Sequence, residues 1–235
     1  MTRPRVVFVH GSVGNAAATW SAQRALADRF DLVLHTRSGY PPRAPVARID
    51  FEEQADELAA ELREGDHLVG HSYGGVVSLL AAARGPVVAS LTVNEPPAFG
   101  VVPDDPAVRT FVTRYLEYLA AGPHSPEEYV RVFLPLVGAT LPPGRLSPTL
   151  EQGAAAALVE RPPNEAVIPL EALAAGSFPK LVVSGAHHPA FDAVCDALEV
   201  RLPAERAVVS GAGHSIPRAS AYNDVLAEFV ERAAG

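Results

Sequence analysis

The chain has 235 residues, 48% hydrophobic and 20% charged, which is typical of one soluble globular domain with a substantial core. A formal net charge of −8, with no basic stripe carrying interleaved aromatics, argues against a nucleic-acid partner. No apolar run approaches the roughly 20 residues that span a bilayer, so a membrane is not expected as a partner either.

The start of the chain and its one cysteine favour a cytoplasmic protein. The sequence enters the apolar run 6–9 without a separate signal-peptide region. Cys195 is the only cysteine, which excludes an internal disulfide and is consistent with a reducing compartment. We therefore expect a cytoplasmic location, while the sequence leaves the oligomeric state open.

Predicted strands and helices alternate in the first part of the chain. Apolar runs predict four buried strands, at residues 5–10, 30–35, the run up to 71, and 87–94. The intervening helices are expected after residue 15 to about 30, over the amphipathic stretch 50–62, and from 72 to about 83. Asn15 or Thr19 is expected to cap the first of them.

The pattern changes after residue 97 and returns near residue 178. Helical patterns separated by Pro and Gly occupy 106–121, 126–136 and 148–160, with no convincing buried strand among them. We interpret residues 98–177 as a helical cap inserted after the fourth strand, and residues 1–97 and 178–235 as the core domain. The alternation then resumes with strands at 180–184 and 206–210 and helices at 189–201 and 221–233.

This order of elements predicts an α/β fold: a mostly parallel, doubly wound sheet of about six strands with helices on both faces. Ligands of such sheets bind at the carboxyl ends of the strands. The residues expected there are rich in reactive side chains, and they are His10-Gly11-Ser12, Ser72, Glu95, His187-His188 and His214. Their convergence at one edge of the sheet indicates an enzyme.

The stretch Gly70-His71-Ser72-Tyr73-Gly74 gives the strongest chemical signal. Between a buried strand and a helix, G-x-S-x-G places the serine on a sharp, strained turn, and the glycines leave room for the crossing backbone. The N–H groups that open the following helix point toward the same place, which favours a developing negative charge there.

Four features together resemble the α/β-hydrolase fold family. They are the H-G pair at His10-Gly11, the G-x-S-x-G motif, a helical insert after the next strand, and Gly211-Ala212-Gly213-His214 after the last strand. They follow the family's order over nearly the whole chain, which is expected to begin at the family's third strand and to lack its first two. The resemblance implies Ser72 as the nucleophile, His214 as its base, the backbone N–H groups of Ser12 and Tyr73 as an oxyanion hole, and no cofactor.

The catalytic acid is where this sequence departs from the family. Most members have an Asp about three residues past the glycine that ends the penultimate strand, and here Gly185-Ala186-His187-His188 puts a histidine there. A histidine does not stabilise an imidazolium as a carboxylate does. The candidates are Glu95, Asp192 or no acid, as in a dyad or a water-assisted arrangement. The structural alternatives are a pairing of Glu95 with Arg37 or another cation, and a helix-dipole role for Asp192.

Several further residues have competing interpretations. His10 is expected to support its loop by hydrogen bonding, the alternative being a strand-end histidine facing solvent. Metal binding by His187 and His188 is disfavoured, because adjacent histidines rarely ligate one ion and no carboxylate sits at ligand spacing. A set of polar loop residues either borders the pocket or lies on the surface: Arg37, Ser38 and Tyr40. The cap aromatics are favoured as packing residues over a recognition site: Phe99, Phe111, Tyr115, Tyr118, Tyr129 and Phe133.

The leading hypothesis is a serine hydrolase that cleaves an ester, lactone or thioester of a small, largely apolar substrate, without cofactor or metal. Ser72 would attack the carbonyl, His214 would carry the proton and Glu95 would orient the imidazolium. Serine rather than aspartate at the elbow argues against epoxide hydrolase and haloalkane dehalogenase chemistry. Two alternatives stay open: a lyase or C–C bond hydrolase with the same Ser/His pair, and a non-catalytic small-molecule receptor.

Overall fold

The computed structural model describes residues 3–122, 125–141 and 143–235. Its centre is a six-stranded sheet in which every neighbouring pair of strands is parallel. The strands are β1 (Arg5–Val9), β2 (Asp31–His35), β3 (His67–His71), β4 (Ser90–Asn94), β5 (Lys180–Ser184) and β6 (Glu205–Val208). Their order in the sheet is β2-β1-β3-β4-β5-β6, which confirms the predicted α/β class.

Helices connect the strands and cover both faces of the sheet. They are α1 (Ala16–Thr19), α2 (Phe51–Glu61), α3 (Tyr73–Ala82), α4 (Pro106–Ala121), α5 (Pro126–Leu136), α6 (Pro148–Ala157), α7 (Leu170–Ala175), α8 (Pro189–Arg201) and α9 (Tyr222–Ala234). In the part of the chain that the structure describes, no helix is both long enough and apolar enough to cross a bilayer. The cytoplasmic location stays a prediction.

The four central strands, β1, β3, β4 and β5, are buried on both faces, since successive residues along a strand point to opposite sides and helices cover each side. In β1, Val7 and Val9 belong to a core that contains residues of α2, α3 and α8. Val6 and Phe8 belong to a second core, on the other face, with Trp20 and residues of α9. This double burial explains why the strands are continuous apolar runs in the sequence, which is the pattern that predicted them.

The described residues between β4 and β5 form helices α4 to α7 and no strand. Helix α4 packs against α8, and α5 packs against α6. The helical character predicted for residues 98–177 is therefore confirmed. The assignment of this segment as a cap, and the domain boundaries at 97 and 178, stay predictions.

Two predicted helices differ in extent from the observed ones. The helix expected to end near residue 30 is divided into α1 and a 3-10 turn at Ala22–Leu26, and the side chain of Asn15 caps α1 by accepting a 2.8 Å hydrogen bond from the N–H of Ala18. Helix α6 ends at Ala157 rather than at residue 160, because Glu160 leaves the helix and pairs with Ile49 in an isolated parallel bridge. The second difference places a carboxylate next to the site described below.

Candidate active site

The turn at Ser72 joins β3 to α3 within a single residue. Its backbone has φ 52° and ψ −128°, a conformation that residues with a side chain adopt only under constraint. Tight backbone packing supplies that constraint. A Cβ on Gly74 would overlap the carbonyl oxygen of His10, and a Cβ on Gly70 would lie 2.6 Å from the carbonyl oxygen of Gly74. The predicted strained turn and the reason for its glycines are confirmed.

Ser72, His214 and Glu95 form one chain of hydrogen bonds. The Oγ of Ser72 lies 2.9 Å from Nε2 of His214, and Nδ1 of the same ring lies 2.7 Å from Oε2 of Glu95. The three residues follow the carboxyl ends of β3, β6 and β4 respectively. They are 7%, 5% and 0% exposed. The residues that the sequence assigned to one edge of the sheet are therefore in direct contact.

Glu95 is held as an ionised hydrogen-bond acceptor. Its Oε1 accepts a 2.7 Å hydrogen bond from the N–H of Gly185 and lies 3.3 Å from Nδ1 of His187. Burial alone would raise the pKa of Glu95, but the hydrogen bond and charge of His214, together with Gly185 and His187, hold that pKa below its usual value. A carboxylate in this state keeps the Nδ1 proton of His214 in place and leaves Nε2 facing the serine hydroxyl.

The two histidines at the family's usual acid position have different partners. Nε2 of His187 donates a 3.0 Å hydrogen bond to the carbonyl oxygen of Val137, just after α5, while its Nδ1 faces Glu95. His188 caps α8, where its Nδ1 accepts a hydrogen bond from the N–H of Ala190 at 3.2 Å. His187 therefore contacts the candidate acid rather than taking its place.

The rival partners considered for this site lie elsewhere. Arg37 pairs with Glu160 and Glu95 pairs with His214, so the alternative pairing of Glu95 with Arg37 is wrong. Asp192 lies in the first turn of α8, and its Oδ1 is buried without a hydrogen-bond partner among the described residues. The atom that a catalytic acid must contact, Nδ1 of His214, is already bonded to Glu95.

The backbone beside Ser72 offers two N–H groups. Tyr73 is the first residue of α3, so its N–H has no acceptor within the helix. The backbone before Ser12 passes so close to the serine that a Cβ on Gly11 would lie 2.8 Å from the Cβ of Ser72. The N–H of Ser12 has no backbone acceptor within the described ranges. An oxyanion hole formed by these two groups stays a prediction.

A buried carboxylate that sequence reasoning missed, Glu160, supports the loop at Ser12. Its Oε2 accepts a 2.5 Å hydrogen bond from the hydroxyl of Ser12, and its Oε1 accepts one of 2.8 Å from Tyr40 and pairs with Arg37. The side chains of Arg37 and Glu160 are 0% and 3% exposed. Burial opposes the charge of Arg37, but the nearby carboxylate outweighs it and raises the pKa of the guanidinium.

This network changes the interpretation of the loop after β2. Arg37 and Tyr40 are fully buried behind Glu160, so neither the pocket-border nor the surface interpretation holds for them. Ser38 is half-buried, and its hydroxyl donates a 2.7 Å hydrogen bond to Glu57. The only sequence signal for Glu160 was its position at the end of an amphipathic helical pattern, which favours a solvent-exposed side chain.

Two further histidines beside the site are held in neutral form, His10 fully buried and His71 half-buried. Nε2 of His10 accepts a 3.2 Å hydrogen bond from the N–H of Arg37, and Nδ1 donates to the carbonyl of Gly11 at 2.8 Å. Its predicted loop-supporting role is confirmed, and the solvent-facing alternative is wrong. His71 donates from Nε2 to the carbonyl of His214 at 2.8 Å. Burial, followed by the charge of His214, lowers the pKa of His71 to about 3.

Two cavities meet at Ser72. The smaller one, which we call the aromatic cavity, measures about 20 Å³, and its aromatic walls are Phe99, Phe111, Tyr115, Phe133 and Phe191. The larger one, which we call the large cavity, measures about 420 Å³ and includes His71, His214 and Arg218 in its walls. Ser12 and Ser72 line both cavities, so a group bound at the serine can extend into either.

The aromatic residues of the helical segment therefore divide into two groups. Phe99, Phe111, Tyr115 and Phe133 line the aromatic cavity. Tyr118 and Tyr129 stack on one another with ring centroids 6.3 Å apart. The packing interpretation favoured by the sequence holds for the second group, while the first group forms part of the site.

One set of side chains in the described ranges has the geometry to hold a metal ion. The ligand atoms of Glu95, His187 and His214 all lie within 4.8 Å of one another. Spacing along the sequence does not show this closeness, because Glu95 reaches the loop from a different strand. An ion there would replace the Nδ1 proton of His214. Metal binding and the Ser72–His214–Glu95 chain are therefore mutually exclusive.

Comparison with known proteins identifies the family. A family model described as the alpha/beta hydrolase family matches residues 6–229. The chain belongs to the alpha/beta hydrolase family. No curated protein sequence matches it.

Solved structures of similar fold include enzymes. An alpha/beta hydrolase from Sphaerobacter thermophilus is 26% identical, with a TM-score of 0.70 over 97% of this chain and 93% of that one. A thermophilic esterase from Thermogutta terrifontis is 25% identical, with a TM-score of 0.70 over 100% of this chain and 92% of that one. MenH from S. aureus reaches a TM-score of 0.77 over 100% and 96% of the two chains, but at 17% identity it shows the shared fold alone.

Proposed function

We propose that this alpha/beta hydrolase is a serine hydrolase that cleaves carboxylic esters, lactones or thioesters through an acyl-enzyme on Ser72. The observation that carries the proposal is the continuous hydrogen-bond chain from the Ser72 hydroxyl through His214 to the buried carboxylate of Glu95. The similarity to the Thermogutta terrifontis esterase supports it.

The reaction begins with attack of the Ser72 oxygen on the substrate carbonyl. His214 takes the hydroxyl proton at Nε2, and Glu95 stabilises the resulting imidazolium through its bond to Nδ1. The negative charge that develops on the carbonyl oxygen is received by the N–H groups of Ser12 and Tyr73, each of which contributes about 3 kcal/mol in comparable sites. His214 then protonates the leaving group, and water hydrolyses the acyl-enzyme by the same steps.

The positions of the cavities orient the substrate. The leaving group receives its proton from Nε2 of His214, so it must lie on the side of the serine that His214 lines, which is the large cavity. Since the leaving group occupies the large cavity, the acyl group must lie in the aromatic cavity. Since a water-sized site needs about 10–15 Å³, a cavity of about 20 Å³ accepts only a small apolar acyl group such as acetyl. The proposed substrates are therefore short-chain acyl esters with a larger leaving group.

The test is hydrolysis of 4-nitrophenyl acetate by the native protein and by Ser72→Ala. A matched control is Ser177→Ala, because Ser177 is an exposed serine just before β5, at the opposite end of the strands from the site. We expect turnover with native protein and the control variant, and loss of turnover by at least about 10³-fold in Ser72→Ala. Equal turnover by all three proteins would refute the proposal.

Product analysis separates the proposal from its rivals. Stoichiometric release of acetate and 4-nitrophenol is the result expected of a hydrolase. A folded protein that binds the ester without turnover would instead be a receptor on the hydrolase fold. Cleavage of a C–C bond with inactivity toward every ester tested would favour the lyase or C–C hydrolase alternative.

A further inference from the structure

The walls of the large cavity are mostly apolar or neutral, with one exception. Among the described residues that line it, Arg218 is the only one with a formal charge at neutral pH. It lies four residues after His214, in a short 3-10 turn that spans Ile216–Arg218. A lone guanidinium in a cavity shared with Ser72 and His214 is a feature that the proposed reaction does not use.

Arg218 lacks the carboxylate partner that two less exposed arginines near this edge of the sheet have. Arg37 is paired with Glu160, and Arg161 lies 2.8 Å from Glu165. Within the described ranges, the side chain of Arg218 takes part in no ion pair or hydrogen bond with another residue. Its donors are therefore free for a ligand.

The backbone at Arg218 is anchored although its side chain is exposed. Ile216 is 0% exposed, and the carbonyl of Pro217 accepts a 2.9 Å hydrogen bond from Nε2 of Gln23. The N–H of Arg218 donates to the carbonyl of Ser215 at 2.9 Å. A fixed backbone limits the positions that the guanidinium can take relative to His214, which suits recognition more than a freely moving surface charge does.

The charge of Arg218 also reaches the centre of the cavity. After burial and the charge of His214, Arg218 is among the groups that lower the pKa of His71, whose ring lines the same cavity. At His71 the charge of Glu95, which lies behind His214, opposes the charge of Arg218, but no carboxylate is among the described residues that line the cavity itself. An anionic group bound in the large cavity can therefore contact a guanidinium without contacting a carboxylate of the described lining.

We propose that the large cavity is a subsite for a leaving group that carries a carboxylate, which Arg218 binds. This inference rests on the proposed function, because the leaving group is assigned to the large cavity by its need for the proton of His214. The substrates it points to are short-chain acyl esters of hydroxy acids, in which the acyl group occupies the aromatic cavity and the acid's carboxylate contacts the guanidinium. Guanidinium and carboxylate match as a planar, bidentate pair.

The test compares 4-acetoxybenzoate with its neutral analogue 4-acetoxybenzamide. For each protein we measure kcat/KM for both esters and divide the value for the benzoate by the value for the benzamide. The two esters differ in intrinsic reactivity, but this difference cancels when the ratio is compared between proteins. The variants are Arg218→Gln, Arg218→Lys and the control Arg114→Gln. Arg114 is an exposed arginine of α4 that lines neither cavity at Ser72, and its removal changes the net charge by the same amount.

We expect Arg218→Gln to lower the ratio about fivefold to tenfold, through a higher KM for the carboxylate ester. Arg218→Lys should recover part of the ratio, and Arg114→Gln should leave it unchanged. Added salt should reduce the native preference and leave that of Arg218→Gln unaffected. An unchanged ratio in Arg218→Gln, with the benzamide ester still hydrolysed, would overturn this inference alone. Failure of the native protein to hydrolyse either ester would overturn the proposed function as well.

Discussion

Replacing Glu95 with Gln removes the charge of the candidate acid and keeps its shape. The N–H of Gly185, 2.7 Å from Oε1, fixes how the new amide must lie, because an amide NH2 at that position would face another donor. The amide oxygen therefore keeps the hydrogen bond from Gly185. The NH2 group then takes the place of Oε2, which lies 2.7 Å from Nδ1 of His214. Nδ1 must then accept a hydrogen bond, which moves the ring proton to Nε2. His214 in this tautomer cannot take the proton of Ser72.

The magnitude follows from the loss of the base. In serine proteases, the Asp-to-Asn change that imposes the wrong tautomer lowers kcat about 10⁴-fold, which is about 5.5 kcal/mol of transition-state stabilisation. We expect a loss of the same order for Glu95→Gln. KM should change little, since Glu95 is 0% exposed and lies behind His214 rather than in either cavity.

The assay is 4-nitrophenyl acetate hydrolysis, with circular dichroism to verify that the variant is folded. Asp192→Asn is the matched control, because Asp192 is the other acid that the sequence proposed and has no bond to His214 among the described residues. We expect Asp192→Asn to retain activity within about threefold, because Asp192 has no bond to the reacting groups and the amide keeps the shape of the carboxylate. Retained turnover in folded Glu95→Gln, with a collapse in Asp192→Asn, would transfer the role of the catalytic acid from Glu95 to Asp192.

Three more results are expected. Glu160→Gln should lower the free energy of unfolding by about 3–5 kcal/mol in urea titrations, because it leaves the fully buried Arg37 without a charge partner. Arg37→Met combined with Glu160→Gln should recover more than half of that loss. No recovery would show that Glu160 does not stabilise the fold through its ion pair with Arg37. The pKa of His71 is about 3 in the folded protein and about 6.5 when unfolded, so between those values only the unfolded state binds this proton, and stability falls as pH drops from about 6.5. His71→Gln should make the slope of stability against pH shallower, whereas an identical slope would exclude the His71 ring as its source. With 4-nitrophenyl esters of increasing acyl length, kcat/KM should fall at least about tenfold between acetyl and octanoyl, because the aromatic cavity measures only about 20 Å³. A kcat/KM that rises with chain length would place the acyl group in the large cavity instead.

The parts of this protein that the sequence predicted well are those fixed by local physics. The central strands are mostly apolar runs because they are buried on both faces of the sheet. The turn at Ser72 needs glycines because a strand reverses there into a helix with little room for side chains. The convergence of Ser72, Glu95 and His214 followed from the rule that parallel strands end at one edge. The order of strands and helices along the chain was enough to predict that these residues lie at one edge of the sheet.

The parts that the sequence missed depend on contacts between distant segments. Glu160 is 148 residues from Ser12 in the chain, and no local pattern marks the exit from α6 that brings them together. The closeness of His187 to Glu95 likewise depends on how the loop after β5 folds over the end of β4. Arg218 was unremarkable in the sequence because its significance lies in having no partner, which only the surrounding structure reveals.

An intact-mass spectrum after incubation with a fluorophosphonate tests directly whether Ser72 is an activated serine. Ser72→Ala is the control. We expect one covalent adduct on the native protein and none on the variant, because only a serine paired with a general base attacks phosphorus at a useful rate. Folded native protein that forms no adduct would show that Ser72 is not activated, and would contradict the proposed hydrolase function.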